Sequence, residues 1–223
     1  MLSSQTYGRF VPNSGRSVDD ELFEPSRGTQ YEIGVRTEFL DGRLSTNLAA
    51  YHLTKTNVTT SDLDNPGFFI LTGEQRSQGI ELDVSGEILP GLKVIASYAY
   101  TDAEVTKDND IPVDNRLLNV PEHQASLWTT YEIQQGDLQG LGFGLGLFYV
   151  CSRQGDLANS FQVDDYLRTD AALYYRRDRL KAAINIRNLF DIYYVSTVEG
   201  DRSFSFIGIG EPLTIVGSIS WEF

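Results

Sequence analysis

The sequence has 223 residues, with 31 acidic and 18 basic side chains, a formal net charge of −13 and an isoelectric point near 4.5. That balance argues against nucleic acid as a partner, since sequence-independent binding needs a basic surface to displace phosphate counterions. No stretch reaches the roughly 18–20 consecutive apolar residues of a spanning helix, whereas a membrane β-barrel needs only about 9–11 alternating residues per crossing, which a mean hydropathy of −0.25 allows.

Met1 is followed by Leu-Ser-Ser-Gln-Thr-Tyr, with no basic, apolar and small-residue succession of a secretory leader. A secreted barrel is expected to carry one, so either the sequence is a fragment whose leader lies upstream or the membrane reading is wrong. Residues 1 to 11 read as a weak strand. Tyr31, Ile33, Val35 and Phe39 then alternate with Glu32, Arg36 and Glu38, and a less regular strand runs from Leu44 to Thr56. Residues 79 to 88 give the cleanest period of two, with Ile80, Leu82, Val84 and Ile88 against Glu81, Asp83, Ser85 and Glu87. Leu92, Val94, Ala96, Tyr98 and Tyr100 oppose Lys93, Ser97 and Thr101. Ala125, Leu127, Tyr131 and Ile133 oppose Gln124, Ser126, Thr130 and Glu132, with Trp128 an exception on the polar face. Leu141, Phe143, Leu145, Leu147 and Tyr149 alternate with Gly142, Gly144 and Gly146. Leu167, Ala171, Leu173 and Tyr175 alternate with Arg168, Asp170 and Arg176, and Leu180, Ala182, Ile184 and Ile186 with Lys181, Asn185 and Arg187. The chain ends with Leu213, Ile215, Ile219, Trp221 and Phe223 on one face and Thr214, Ser218, Ser220 and Glu222 on the other.

Connections alternate in scale. Asp41-Gly42, Leu89-Pro90-Gly91, Gln135-Gly136-Asp137 and Arg177-Asp178-Arg179 are tight-turn sequences, while 12–28, 57–73, 104–119, 154–163 and 191–212 are long. About ten strands joined this way predict an all-β, antiparallel up-and-down meander forming part of a transmembrane β-barrel, with apolar residues facing lipid and polar residues facing a wet lumen. Tyr98, Tyr100, Tyr149, Tyr175, Phe190, Tyr193, Tyr194 and Trp221 lie near strand ends, as in an interfacial aromatic belt.

Chemistry-bearing residues are few. Cys151 is the single cysteine, without a Cys/His cluster around it, so neither a disulfide nor a metal site is expected. His52 and His123 are the available imidazoles, and neither has a recognisable nucleophile or acid-base partner; no catalytic residue is assigned. A small omptin-like barrel protease, a passive pore and a soluble sugar- or protein-binding β-protein are the alternatives.

Several stretches together resemble the carboxy-terminal half of TonB-dependent siderophore receptors, with a suggestion of the ferrichrome-like branch. They are Phe23-Glu-Pro-Ser-Arg-Gly-Thr-Gln-Tyr-Glu-Ile-Gly-Val35, Thr54-Lys-Thr-Asn-Val58, Gly73-Glu-Gln-Arg-Ser-Gln-Gly-Ile-Glu-Leu-Asp-Val84, Ala96-Ser-Tyr-Ala-Tyr-Thr-Asp102, Asn119-Val-Pro-Glu-His123, and Asn188-Leu-Phe-Asp191 followed by Tyr194. The resemblance implies a 22-stranded barrel closed by an amino-terminal plug, which carries ferric siderophores across the bacterial outer membrane using the TonB complex. It implies that residues 1–223 are the carboxy-terminal part of such a barrel, with plug, TonB box and early strands outside them. No resident cofactor is implied; the ferric siderophore is cargo.

Ligand contact in the family is attributed to plug apices, outer loops and the upper lumen, which here points to Tyr149, Arg153, Gln154, Phe204 and Phe206. Trp221 and Phe223 are expected to act as an assembly signal for the barrel-insertion machinery, beside their role against outer-membrane lipid. Arg27-Gly28 and Arg76-Ser-Gln-Gly79 are expected to start descending strands, with Arg paired to lumen carboxylates such as Glu32 or Glu81. Asn188 and Asp191 are expected to bond the backbone of the loop that leaves the sheet.

Overall fold

The computed structural model describes residues 2–7, 15–200 and 205–222. The strands are β1 (Leu2–Tyr7), β2 (Arg27–Phe39), β3 (Leu44–Ser61), β4 (Phe69–Leu89), β5 (Leu92–Lys107), β6 (His123–Glu132) and β7 (Leu141–Val150). After them come β8 (Arg153–Gln154), β9 (Gln162–Val163), β10 (Tyr166–Arg177), β11 (Leu180–Arg187), β12 (Val195–Gly200), β13 (Ser205–Ile209) and β14 (Thr214–Trp221). Ten of them form one antiparallel sheet in chain order, β1 to β7 followed by β10, β11 and β14. The other four make two small hairpins, β8 with β9 and β12 with β13, inside two of the long connections. The meander and its strand number match the expectation; the hairpins were not legible in the sequence.

Register turns alternation into two chemically distinct faces. One cross-strand row runs Val35, Leu48, Leu82, Tyr98, Ala125, Tyr149, Leu167 through seven strands. The row one residue further on runs Arg36, Asn47, Asp83, Ser97, Ser126, Phe148, Arg168, with Ser97 and Ser126 hydroxyls 2.8 Å apart. Both rows are largely solvent-accessible in the isolated sheet, and what separates them is chemistry: Val35, Leu48, Leu82, Tyr98, Tyr149 and Leu167 make one accessible face apolar, while Arg36, Asn47, Asp83 and Ser97 make the other polar. Ile215, Ile219 and Trp221 of β14 are accessible on the apolar face as well. A continuous exposed apolar face is untenable in water and stable in hydrocarbon, where each fully transferred aliphatic side chain contributes about 1.5–3 kcal/mol.

Strand length fixes which end projects. The 21 residues of β4, at about 3.3 Å each, outrun a hydrocarbon core of about 30 Å even when tilted near 45°. The excess of β3, β4 and β5 lies at the end that carries the long connections. At the other end turns are tight: Gly91 has φ +82°, and a Cβ there would stand 2.4 Å from the Glu132 carbonyl oxygen. Asp178 supplies the left-handed residue of the β10–β11 turn, φ +52°.

Trp128 on the polar face has a physical reason. Its indole covers Gly144 and Gly146 of the neighbouring strand, and the Tyr174 ring covers Gly142. The glycines of β7 are therefore sockets for lumen-side aromatics.

Candidate functional site at the long-loop rim

The rim is built by side chains that clamp backbone as it leaves the sheet. Asn188 is almost wholly buried, at 1% exposure, directly after β11. Its N–H donates to Asp170 Oδ1 at 2.9 Å, its Nδ2 donates to the carbonyls of Ile192 and Glu211, and its Oδ1 accepts the Ile192 N–H. Asp191 Oδ1 accepts the Leu213 N–H at 2.8 Å, bringing the return segment to the start of β14. Both residues adopt left-handed backbone (φ +50° and +48°), which short polar side chains tolerate. The expected backbone-bonding role of this motif is what the geometry shows.

Asp170 does a second job. Its carboxylate takes two hydrogen bonds from Arg168, whose guanidinium lies 4.5 Å from the centre of the Phe148 ring and reaches the Tyr194 hydroxyl at 3.4 Å. Tyr194 in turn packs on Tyr166 at 4.5 Å between ring centres. It is 6% exposed, so Tyr194 is a packed rim residue and not part of the lipid belt, contrary to the sequence expectation. Tyr98, Tyr100, Tyr149, Tyr175 and Trp221 do share the outer, apolar face.

Arg153 ties three loops together. It is 4% exposed; Nε donates to Asn119 Oδ1 at 2.8 Å and Nη2 to the Val195 carbonyl at 2.8 Å. Asn119 completes the joint by donating its side-chain amide to the Thr197 hydroxyl and its backbone N–H to the Gln154 carbonyl. Burial pushes the Arg153 guanidinium below its ordinary value, offset in part by Tyr166 and Cys151. Arg153 Nη1 and Gln154 Oε1 are buried without a partner among the described residues. Both side chains face inward among the loops.

The five expected ligand residues are thus not one cluster. Arg153 and Gln154 lie together in the buried loop joint. Tyr149 stands on the outer face in the row with Tyr98 and Leu167, because residue parity along β7 sends it there. Phe206 is exposed on the β12–β13 hairpin, opposite Glu199. Phe204 lies outside the described residues, as does Phe223; Trp221 is on the outer face opposite Leu180.

Arg76 is also placed differently from expectation. It shares the parity of Ile80 and Leu82, hence the outer face, and pairs with Glu104 at 2.6 Å and Asp102 at 3.4 Å instead of Glu32 or Glu81. Arg27 pairs with Glu24 at 3.3 Å. These charges lie toward the long-connection ends of β2, β4 and β5. Nearby, Arg116 binds Glu122 at 2.7 Å, and that hydrogen bond holds the Glu122 carboxyl below its ordinary value.

Neither histidine has a nucleophile arrangement. His52 contacts Gln78 and Thr54, and His123 lies 2.9 Å from the Tyr98 hydroxyl. Cys151 follows β7, and its sulfur accepts the His123 N–H. Among the described residues no three His, Cys, Asp or Glu side chains converge on a metal position.

The five long connections carry most of the chain's net charge. Between the strands of the main sheet they contain 17 of the 31 acidic residues and 5 of the 18 basic ones, leaving the strands and tight turns almost neutral.

A two-faced antiparallel meander with an apolar outer wall, tight turns at one end and clamped acidic loops at the other defines a segment of an outer-membrane β-barrel. Residues 3–189 match the family model for the TonB dependent receptor-like β-barrel, and the chain belongs to that family. It is 41% identical over 218 residues to the metal-pseudopaline receptor CntO of Pseudomonas aeruginosa, covering 96% of this chain and 30% of the relative. It is 38% identical over 193 residues to the ferrichrome outer membrane transporter/phage receptor of Escherichia coli, covering 84% of this chain and 26% of the relative. The ferripyoverdine receptor of the outer membrane of Pseudomonas aeruginosa, solved with ferripyoverdine, superposes with a TM-score of 0.79 at 27% identity, over 100% of this chain and 30% of that one. The chain therefore spans about a third or less of these relatives. Membership in a receptor and transporter family replaces the omptin-like protease reading: this is not an enzyme family.

Proposed function

We propose that the protein of which this chain is part of the barrel wall takes up a ferric siderophore across the outer membrane, powered by the TonB complex. The observation that carries this is similarity along nearly the whole chain to a metal-pseudopaline receptor and to a ferrichrome transporter. The clamped loop rim supports it: Arg153, Asn119 and Asn188 hold the long connections in one arrangement, as a binding mouth requires. TonB, outer-membrane lipid and the barrel-insertion machinery are the partners this function needs.

The test is uptake of radiolabelled ferric hydroxamate by cells expressing the gene, with and without TonB. Accumulation that needs both the gene and TonB is the expected result. Uptake that persists without TonB means a passive pore. The 41% identity to the metal-pseudopaline receptor favours one second reading, a chelate of another metal; competition between ferric and non-ferric chelates separates the two.

A further inference from the structure

The loop between β7 and β10 and the segment entering β12 enclose a cavity of about 220 Å³. Its lining includes the aromatic residues Phe161, Tyr193 and Tyr194 and the acidic residues Asp164 and Asp165. Tyr194 is fixed by Tyr166 and Arg168, so one wall is rigid, while Tyr193 is 78% exposed and leaves the cavity open. Among the described residues no cationic side chain lines it. The two nearby guanidiniums are committed elsewhere, Arg153 to Asn119 and Val195, and Arg168 to Asp170 and Tyr194.

Two exposed carboxylates without a counter-ion among the described residues, beside three aromatic residues, are the chemistry that holds an organic cation, through charge and through the negative ring face. The volume is below the roughly 300–1,000 Å³ of pockets that enclose a whole drug-sized ligand, so it suits one end of a larger molecule. The acidic character of all five long connections works in the same direction, raising the local concentration of cationic ligands and repelling anionic ones. We infer that this cavity receives a cationic group, an ammonium or guanidinium, carried by the metal chelate. The inference rests on the uptake reading above and adds the charge of the ligand to it.

The experiment uses the whole receptor in outer-membrane vesicles and two probes: a ferric linear trihydroxamate with a free terminal ammonium, and the same chelate with that amine acetylated. The ammonium form should bind about tenfold tighter at low salt, with the advantage shrinking as salt rises. The double variant Asp164→Asn, Asp165→Asn should abolish that advantage and leave affinity for the acetylated chelate unchanged, which also serves as the control for folding. Equal affinities in the parent receptor, or equal losses for both chelates in the variant, overturn the inference and leave the uptake reading standing. Binding of neither chelate overturns the ligand class proposed above, and this inference with it.

Discussion

The indole of Trp128 lies against Gly144 so closely that a Cβ on Gly144 would stand 2.9 Å from its Cζ2, and one on Gly146 would stand 2.5 Å from its Cε3. An aromatic residue on the lumen face is accommodated because β7 has no side chains beneath it.

This contact decides how the lipid and lumen faces are to be compared. Leu145→Arg places a charge on the outer face and should cost about 2–4 kcal/mol of folding stability in lipid vesicles. Gly144→Arg is a poor lumen control, because it must displace Trp128. Ser97→Arg, on the polar row and exposed, should cost less than about 1 kcal/mol. Denaturant titration of the receptor in vesicles gives both values; equal penalties for Leu145→Arg and Ser97→Arg would contradict the assignment of faces.

Trp128→Ala should destabilise by about 1–3 kcal/mol, less than a fully buried Trp because the indole is only half-buried. Adding Gly144→Ala to it should cost less than Gly144→Ala alone, since the competing ring is gone. A double-mutant cycle of unfolding free energies in vesicles measures that coupling.

Asn188→Ala leaves the Ile192 N–H and the Ile192 and Glu211 carbonyls without their partner at a buried position. A loss of about 2–3 kcal/mol is expected, with Asp191→Ala nearer 1 because it removes a single exposed contact. Hydrogen exchange should show faster opening of the segment from 189 to 213 in both variants, and more so in the first.

Arg153→Ala should uncouple the three loops it joins. Proteolysis at 108–122 and 195–200 should rise together, by severalfold, while the sheet stays protected. Arg153→Lys should rescue only partly, since an ammonium lacks the planar fork that reaches Asn119 and Val195 at once. Independent changes in the two segments would show that Arg153 is not their common anchor.

Acid should loosen the 108–122 connection through Glu122. Arg116 lowers the Glu122 value in the folded state, so its contribution is present above the ordinary carboxylate value and is lost as pH falls through the lowered one. Both side chains are partly exposed, so the effect is small. Proteolytic susceptibility of this loop should rise as pH falls below the ordinary carboxylate range, and Glu122→Gln should show raised susceptibility at neutral pH with a flatter acid response. An unchanged pH profile in that variant would remove Glu122 as the cause.

Alternation along the chain was enough to determine the meander, the strand number and which residues share a face, because a pleated strand sends successive side chains to opposite sides whatever its neighbours are. Ile80, Leu82 and Val84 could be read that way with no knowledge of the fold, and the backbone-binding role of Asn188 and Asp191 followed from the short reach of their side chains. The sequence could not reveal partners across strands or between loops. Arg76 meets Asp102 and Glu104, not Glu32 or Glu81, because register, not composition, sets which carboxylates come within its reach. Tyr149 looked available to a ligand, yet strand parity turns it to the outer wall. Arg153 looked like a ligand contact, yet Asn119 lies 34 residues before it and Val195 42 after, and only the folded loops bring them together. The cavity of Asp164, Asp165 and Tyr193 has the same origin: its walls come from separate connections, and long-range loop packing leaves no periodic trace in a sequence.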